Sequence, residues 1–166
     1  MATVLELSTG TNAPLIKLDP SLEEDEQEWR AIYVLARIRA RFETDLPTWT
    51  SQWSIEQTPA QQMDALVEIF CSGDALTFGH RFKPLNHLGN GIWELKTPDL
   101  RFFGWFPHKD CFVGGALDTA FKVKSYNLYA GHAGAVAYFR SQLDLNEPKF
   151  VPGDDPSNVV TNFNYP

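Results

Sequence analysis

Gly91-Ile-Trp-Glu-Leu-Lys96, then Leu100-Arg-Phe-Phe-Gly-Trp-Phe106 and Cys111-Phe-Val113, carries the pattern that decides the fold. Aromatic and branched apolar residues recur in all three runs, and each run has the length of a strand. Thr97-Pro98-Asp99 and Pro107-His108-Lys109-Asp110 separate them with the composition of tight turns, and Gly89-Asn-Gly91 suits a turn before the first. The simplest reading is an antiparallel meander of strands over 92–96, 100–106 and 111–113. Because successive strand residues point to opposite faces, some of the aromatics must face the core. Trp93, Phe103 and Trp105 are assigned to packing rather than base stacking, and Glu94 to the surface.

Outward from the meander the period becomes helical. Thr58-Pro-Ala-Gln61 combines an N-cap, a proline in the first turn and a capping-box glutamine, and Met63, Leu66, Val67 and Phe70 supply one apolar stripe ending near Gly73. Residues 21–42 predict an earlier helix. Ser21 and Glu24 form the capping-box pattern, acidic residues precede basic ones as a helix dipole favours, and Trp29, Ile32, Tyr33 and Ala36 recur at helical spacing. Residues 46–53, with Pro47, Trp49 and Trp53, read as an aromatic connection over the core. Gly114 and Gly115 loosen the chain after the third strand, residues 120–124 read as a strand or an extended lead, and 127–143 as a closing helix rich in small residues.

A chain of 166 residues with 43% apolar and 13% aromatic content has the size and core of one domain. We divide it into an N-terminal strand or tail (1–20), a core (21–147) and a surface tail (148–166). The fold class is α+β, with two N-terminal helices packed on a small antiparallel sheet and a C-terminal helix. No apolar run is long enough to span a bilayer, and the N-terminus lacks the pattern of a secretory signal, so no membrane partner and a cytoplasmic location are expected. Cys71 and Cys111 stand far apart, and the four histidines form no ligand pair, so neither a disulfide framework, a metal nor a cofactor is expected.

The net charge of −7 conceals an asymmetry: residues 1–75 sum to −8 and residues 76–149 to +3. The acidic whole repels polyanions, whereas a basic face on the second half can hold a phosphate backbone locally. The acidic run from Glu23 has the capping explanation, and folding across the basic face as an internal inhibitor is an alternative.

Leu88, Gly91-Ile-Trp-Glu-Leu-Lys96, Arg101-Phe-Phe, Phe121-Lys-Val-Lys124 and the helix that follows resemble the RelE/ParE toxin superfamily, especially its phage-derived, HigB-like branch. The resemblance covers about residues 60 to 143. Lys96 stands where the family often has arginine, Val123 separates the two lysines, and the proline common before the last helix is absent. The resemblance implies a metal-independent endoribonuclease that cuts messenger RNA on the ribosome and is neutralised by a cognate antitoxin protein. It equally allows a non-catalytic interaction protein of the same fold, such as a gyrase inhibitor or a phage-encoded modulator.

Cleavage of this kind requires a base for the 2′-hydroxyl, cations for the phosphate and an acid for the leaving oxygen. The candidates are Lys96, Arg101, Lys122, Lys124 and Tyr126. Lys96 and Arg101 fall on adjacent strands, where they either bind phosphate or are solvated charges paired with Glu94 or Asp99. Lys122 and Lys124, two apart on extended chain, would point the same way. Tyr126 and Tyr129 serve either base stacking and proton donation or helix packing. His87 and His108 are weaker acid-base candidates, and His132 reads as packing.

Overall fold

The computed structural model describes residues 1–85 and 90–166; His87, Leu88 and Gly89, named above, lie outside the described residues. A six-stranded sheet separates two helical layers. Its order is β1 (Leu15–Lys17), β2 (Ala31–Leu35), β7 (Cys111–Thr119), β6 (Leu100–His108), β5 (Trp93–Lys96) and β4 (Phe82–Pro84). All neighbours are antiparallel except β2 and β7, which pair in parallel from Ala31 opposite Cys111 to Val34 opposite Gly114.

The meander occupies the centre as its sequence predicts. One face of it, with Trp93, Leu95, Phe102, Phe106 and Phe112, is covered by α2 (Pro59–Cys71) through Met63, Leu66, Val67 and Phe70. The capping box of α2 forms as read, with Thr58 Oγ1 accepting from the Gln61 N–H and Gln61 Oε1 accepting from the Thr58 N–H. The opposite face, with Tyr33, Leu35, Phe103, Trp105 and Val113, is covered by Val123 of α3 (Ala120–Ser125) and by Ala133 and Val136 of α4 (Tyr129–Gln142). The short α1 (Val4–Leu7) joins that second layer through Val4. The two layers bury a core on each side of the sheet, which is why the central strands carry apolar side chains on both faces.

The helix expected over 21–42 does not form. Residues 31–35 are instead the inner strand β2, followed by a 3-10 turn at Ala36–Ile38 and a π-helical turn at Arg41–Asp45. Ile32, Tyr33, Val34 and Leu35 are all buried, so the run is apolar on both sides of a sheet rather than along a helical stripe. Ser21 has φ of 52°, outside the geometry of an N-cap, and its N–H bonds to Asp19 Oδ1. Trp29 is correspondingly exposed. The acidic stretch lies beside β1, where Glu28 pairs with Lys17 at 2.7 Å, at the sheet edge opposite β4, so it does not cover the basic face.

Two further expectations are corrected. Gly114 and Gly115 lie inside β7, which runs on to Thr119. A β-carbon at Gly114 would collide with the Phe102 ring, so glycine there permits close packing instead of ending the strand. Residues 148–166 are not a surface tail. Val159 and Val160 are buried in the α2-side core, and β8 (Phe163–Asn164) pairs in parallel with β3 (Leu76–Thr77). Arg30 locks this segment down, donating to the carbonyls of Phe70, Asp74, Thr161 and Asn162. Cys71 and Cys111 are free and buried, and burial pushes both thiols up to about 12.

Candidate functional site

The turn between β5 and β6 is held from both sides of the chain. Gln62 of α2 is buried and reaches it with its whole amide: Nε2 donates to Asp99 Oδ2 at 2.6 Å, and Oε1 accepts from Thr97 Oγ1 at 2.8 Å and from the Asp99 N–H at 3.0 Å. Asp99 Oδ1 also accepts from the Gln52 N–H. Arg101, only 5% exposed, donates through Nη1 to the carbonyls of Thr97 and Leu100 at 2.7 and 2.8 Å. A buried polar network of this kind is rigid because each group it leaves unmade costs desolvation energy.

Register then sets which charges gather beside that turn. Lys96 lies directly opposite Arg101, and Arg101 opposite Asp118 on β7. In the next row of the same face, Lys83 lies opposite Glu94, and Glu94 opposite Phe103. Lys96, Thr97, Pro98 and Arg101 form one wall of a cleft of about 480 Å³ whose other wall is Thr77, His80 and Arg81. The Lys96 ammonium bridges the walls by donating to the Gly79 carbonyl at 3.0 Å. The cleft thus presents three cations and an imidazole to one opening, a composition suited to a phosphate group.

Glu94 changes the electrostatics of this corner. It is buried at 2% exposure rather than lying on the surface, and its Oε2 has no hydrogen-bond partner among the described residues. Burial pushes its carboxyl above the usual range, opposed by the positive charges of Arg101, Lys96, Lys83 and Lys124. Burial and the charge of Arg101 push the Lys96 ammonium in the other direction, below its ordinary value, with Lys83 and Lys124 adding to the effect and Glu94 opposing it. Lys96 is therefore the lysine of this cleft whose proton is made easier to remove.

The five residues singled out in the sequence do not form one site. Lys96 and Arg101 share the cleft, and Lys124 acts on both Glu94 and Lys96 from α3. Lys122 and Tyr126 line a different cleft, with Asp99, Thr119 and Phe121. The reason is local: residues 120–125 are helical, so positions two apart diverge by more than half a turn, whereas a strand would have aligned them. Thr119 caps this helix by accepting from the Lys122 N–H. Tyr126 is 68% exposed, while Tyr129 packs edge-on against Phe103.

His108 stands at the far end of β6 from Arg101, about 23 Å along the strand, and takes no part in the cleft. His132 does pack, stacking on Phe103 at 5.1 Å between centroids, and it also shares a 3.0 Å hydrogen bond with Asp118. Burial pushes the Asp118 carboxyl up, but the bonds from His132 and the Thr119 N–H and the charges of His132 and Arg41 outweigh it and hold the group below its usual range.

Sequence reasoning missed His80 and Arg81, which reach the cleft from the loop between β3 and β4, and Gln62, which positions its floor. The excess of positive charge after residue 76 was a signal for Arg81, but no periodicity ties that loop to Lys96. Among the described residues no group of histidine, cysteine and carboxylate side chains is placed to hold a metal, and no helix is long and apolar enough to cross a membrane. Compared with known proteins, the chain matches no family model, no curated protein and no solved structure.

Proposed function

We propose that this chain is the toxin-like component of a bacterial toxin–antitoxin system, a RelE/ParE-type, HigB-like endoribonuclease that cuts ribosome-bound messenger RNA in the cytoplasm without a metal. The observation that carries this reading is the convergence of Arg81, Lys96 and Arg101 with His80 on one cleft at the meander turn. The resemblance of about residues 60 to 143 to that family supports it, as does an antiparallel meander packed against helices.

The chemistry follows from the groups present. The 2′-oxygen of the substrate attacks its own phosphorus while the lone pair of neutral Lys96 takes the hydroxyl proton. The P–O5′ bond breaks, His80 in its protonated form gives a proton to the departing oxygen, and a 2′,3′-cyclic phosphate remains. Arg81 and Arg101 balance the charge that grows on the phosphoryl oxygens. A cognate antitoxin silences the enzyme by covering the cleft. Phosphate contact and acid-base work are thus carried by Lys96, Arg101, Arg81 and His80, with Lys124 widening the cationic rim.

A second reading has its own support. Arg101 is nearly buried and its Nη1 is engaged by two carbonyls, which suits a turn brace in a non-catalytic interaction protein, whether a gyrase inhibitor or a phage-encoded modulator. Induced expression with transcript end mapping separates the two. The enzyme arrests growth and leaves discrete cuts in translated messages, both lost in Lys96→Ala. Arrest with intact messages and altered DNA supercoiling identifies the interaction protein, and wild-type chain that leaves growth and RNA untouched sinks the toxin reading.

A further inference from the structure

We propose that Glu94 is the proton-coupled counter-charge of the cationic cleft: it takes up a proton when a phosphodiester chain occupies the cleft and ionises again when the chain leaves. This rests on the reading of the cleft as a phosphodiester site and adds its regulation by pH.

The geometry isolates Glu94 from ordinary partners while surrounding it with charge. Its side chain points to the α3–α4 face of β5, is 2% exposed, and leaves Oε2 without a hydrogen bond among the described residues. Lys83 faces it from β4, Lys96 from two positions along β5, Arg101 from β6 and Lys124 from α3. On β7 and α4, Asp118 and His132 bond to one another above Phe103, the residue paired with Glu94. The four cations act on Glu94 through space, and among the described residues no hydrogen bond to Oε2 fixes its ionised form.

Two opposed influences therefore set its protonation. Burial disfavours the carboxylate, and the surrounding positive charges favour it. Phosphates in the cleft neutralise Arg101 and Lys96, the two largest of those positive influences, and leave the burial. Glu94 then takes a proton from solvent. A site that gains a proton on binding binds more tightly as pH falls, by linkage. The same cleft would grip a polyanion in mildly acidic conditions and release it as Glu94 ionises.

The test uses the full chain and a short fluorescent 2′-O-methyl RNA, which cannot be cut by 2′-attack, at fixed ionic strength between about pH 5 and pH 8. Wild-type Kd is expected to rise with pH by up to about tenfold per unit, the limit for one linked proton. Glu94→Gln, whose neutral amide stands in for the protonated carboxyl, is expected to bind more tightly than wild type at the alkaline end and to show a shallower slope. His80→Gln removes the imidazole of the cleft and should keep the part of the slope that Glu94→Gln abolishes. A Glu94→Gln variant with the wild-type slope overturns the proposal.

Should that variant fold poorly, calorimetry of the wild type in two buffers of different ionisation enthalpy reads proton uptake directly, and binding without uptake overturns the proposal as well. Intact cleavage with an unchanged slope in Glu94→Gln removes the coupling and leaves the enzyme. A Glu94-dependent slope in a protein that cuts no RNA removes the enzyme and supports the coupling.

Discussion

Glu94 and Asp118 are both buried carboxyls on the same face of one sheet, two strands apart, and both have cations nearby, yet they are displaced in opposite directions. Asp118 receives hydrogen bonds from His132 and the Thr119 N–H and stands 3.5 Å from Arg41 Nη2. Glu94 has positive charge around it and, among the described residues, an oxygen with no bond. The difference teaches that at this depth donors in contact, rather than cations at a distance, decide whether a carboxylate survives burial. The two ends of the face differ in role accordingly. The Asp118 end fastens α4, β7 and the π-helical turn together, and the Glu94 end borders an open cationic cleft.

Removing the contacts of Asp118 is the harshest way to break that contrast. Asp118→Ala leaves His132 without its acceptor and takes one from Arg41, which keeps Leu117 O and Asp45, and the expected loss is about 2–4 kcal/mol in denaturant unfolding at neutral pH. An undiminished midpoint would show that the pairing contributes nothing. Arg101→Met should cost less, about 1–3 kcal/mol, because the carbonyls of Thr97 and Leu100 lose one shared donor. The same variant should weaken oligonucleotide binding, and unchanged affinity would assign Arg101 to the turn alone.

The two carboxyls also predict opposite pH limbs. Asp118, lowered from its ordinary 3.8, contributes stability that is present above that pH and lost as pH falls through its folded value, so Asp118→Asn should flatten the acid limb of a stability profile. Glu94, raised from 4.5, contributes stability that is complete below that pH and lost as pH rises through its folded value, so Glu94→Gln should flatten the curve above 4.5. Parallel profiles for both variants would contradict the contrast. Smallest of all is Lys122→Ala. On its separate cleft it should change stability by less than about 0.5 kcal/mol and oligonucleotide affinity not at all, measured beside a Lys96→Ala that loses binding.

How far the chain could be read depended on where its determinants lie. The β5–β6–β7 meander and α2 were legible because strand composition, turn residues and a capping box are local signals, each confined to a few neighbouring residues. Residues 31–35 were not. A run of Ala-Ile-Tyr-Val-Leu satisfies helical spacing and also fills both faces of an inner strand, and only its parallel pairing with β7, about eighty residues away in sequence, chooses between them. Residues 120–124 erred the other way, since Phe, Val and alternating lysines suggest extended chain while the Thr119 cap starts a helix.

The candidate site divides along the same line. From its order of residues alone the chain determined an α+β class, a meander turn carrying Lys96 and Arg101, and a positive second half, because composition and short periods suffice for these. Tertiary structure decided that Lys124 acts on Lys96 and Glu94 through space while Lys122 lines a separate cleft, that His80 and Arg81 arrive from another loop, and that Glu94 is buried with one oxygen unbonded among the described residues. Those outcomes depend on strand register and on what packs above the sheet, and register is set by contacts between segments distant in sequence.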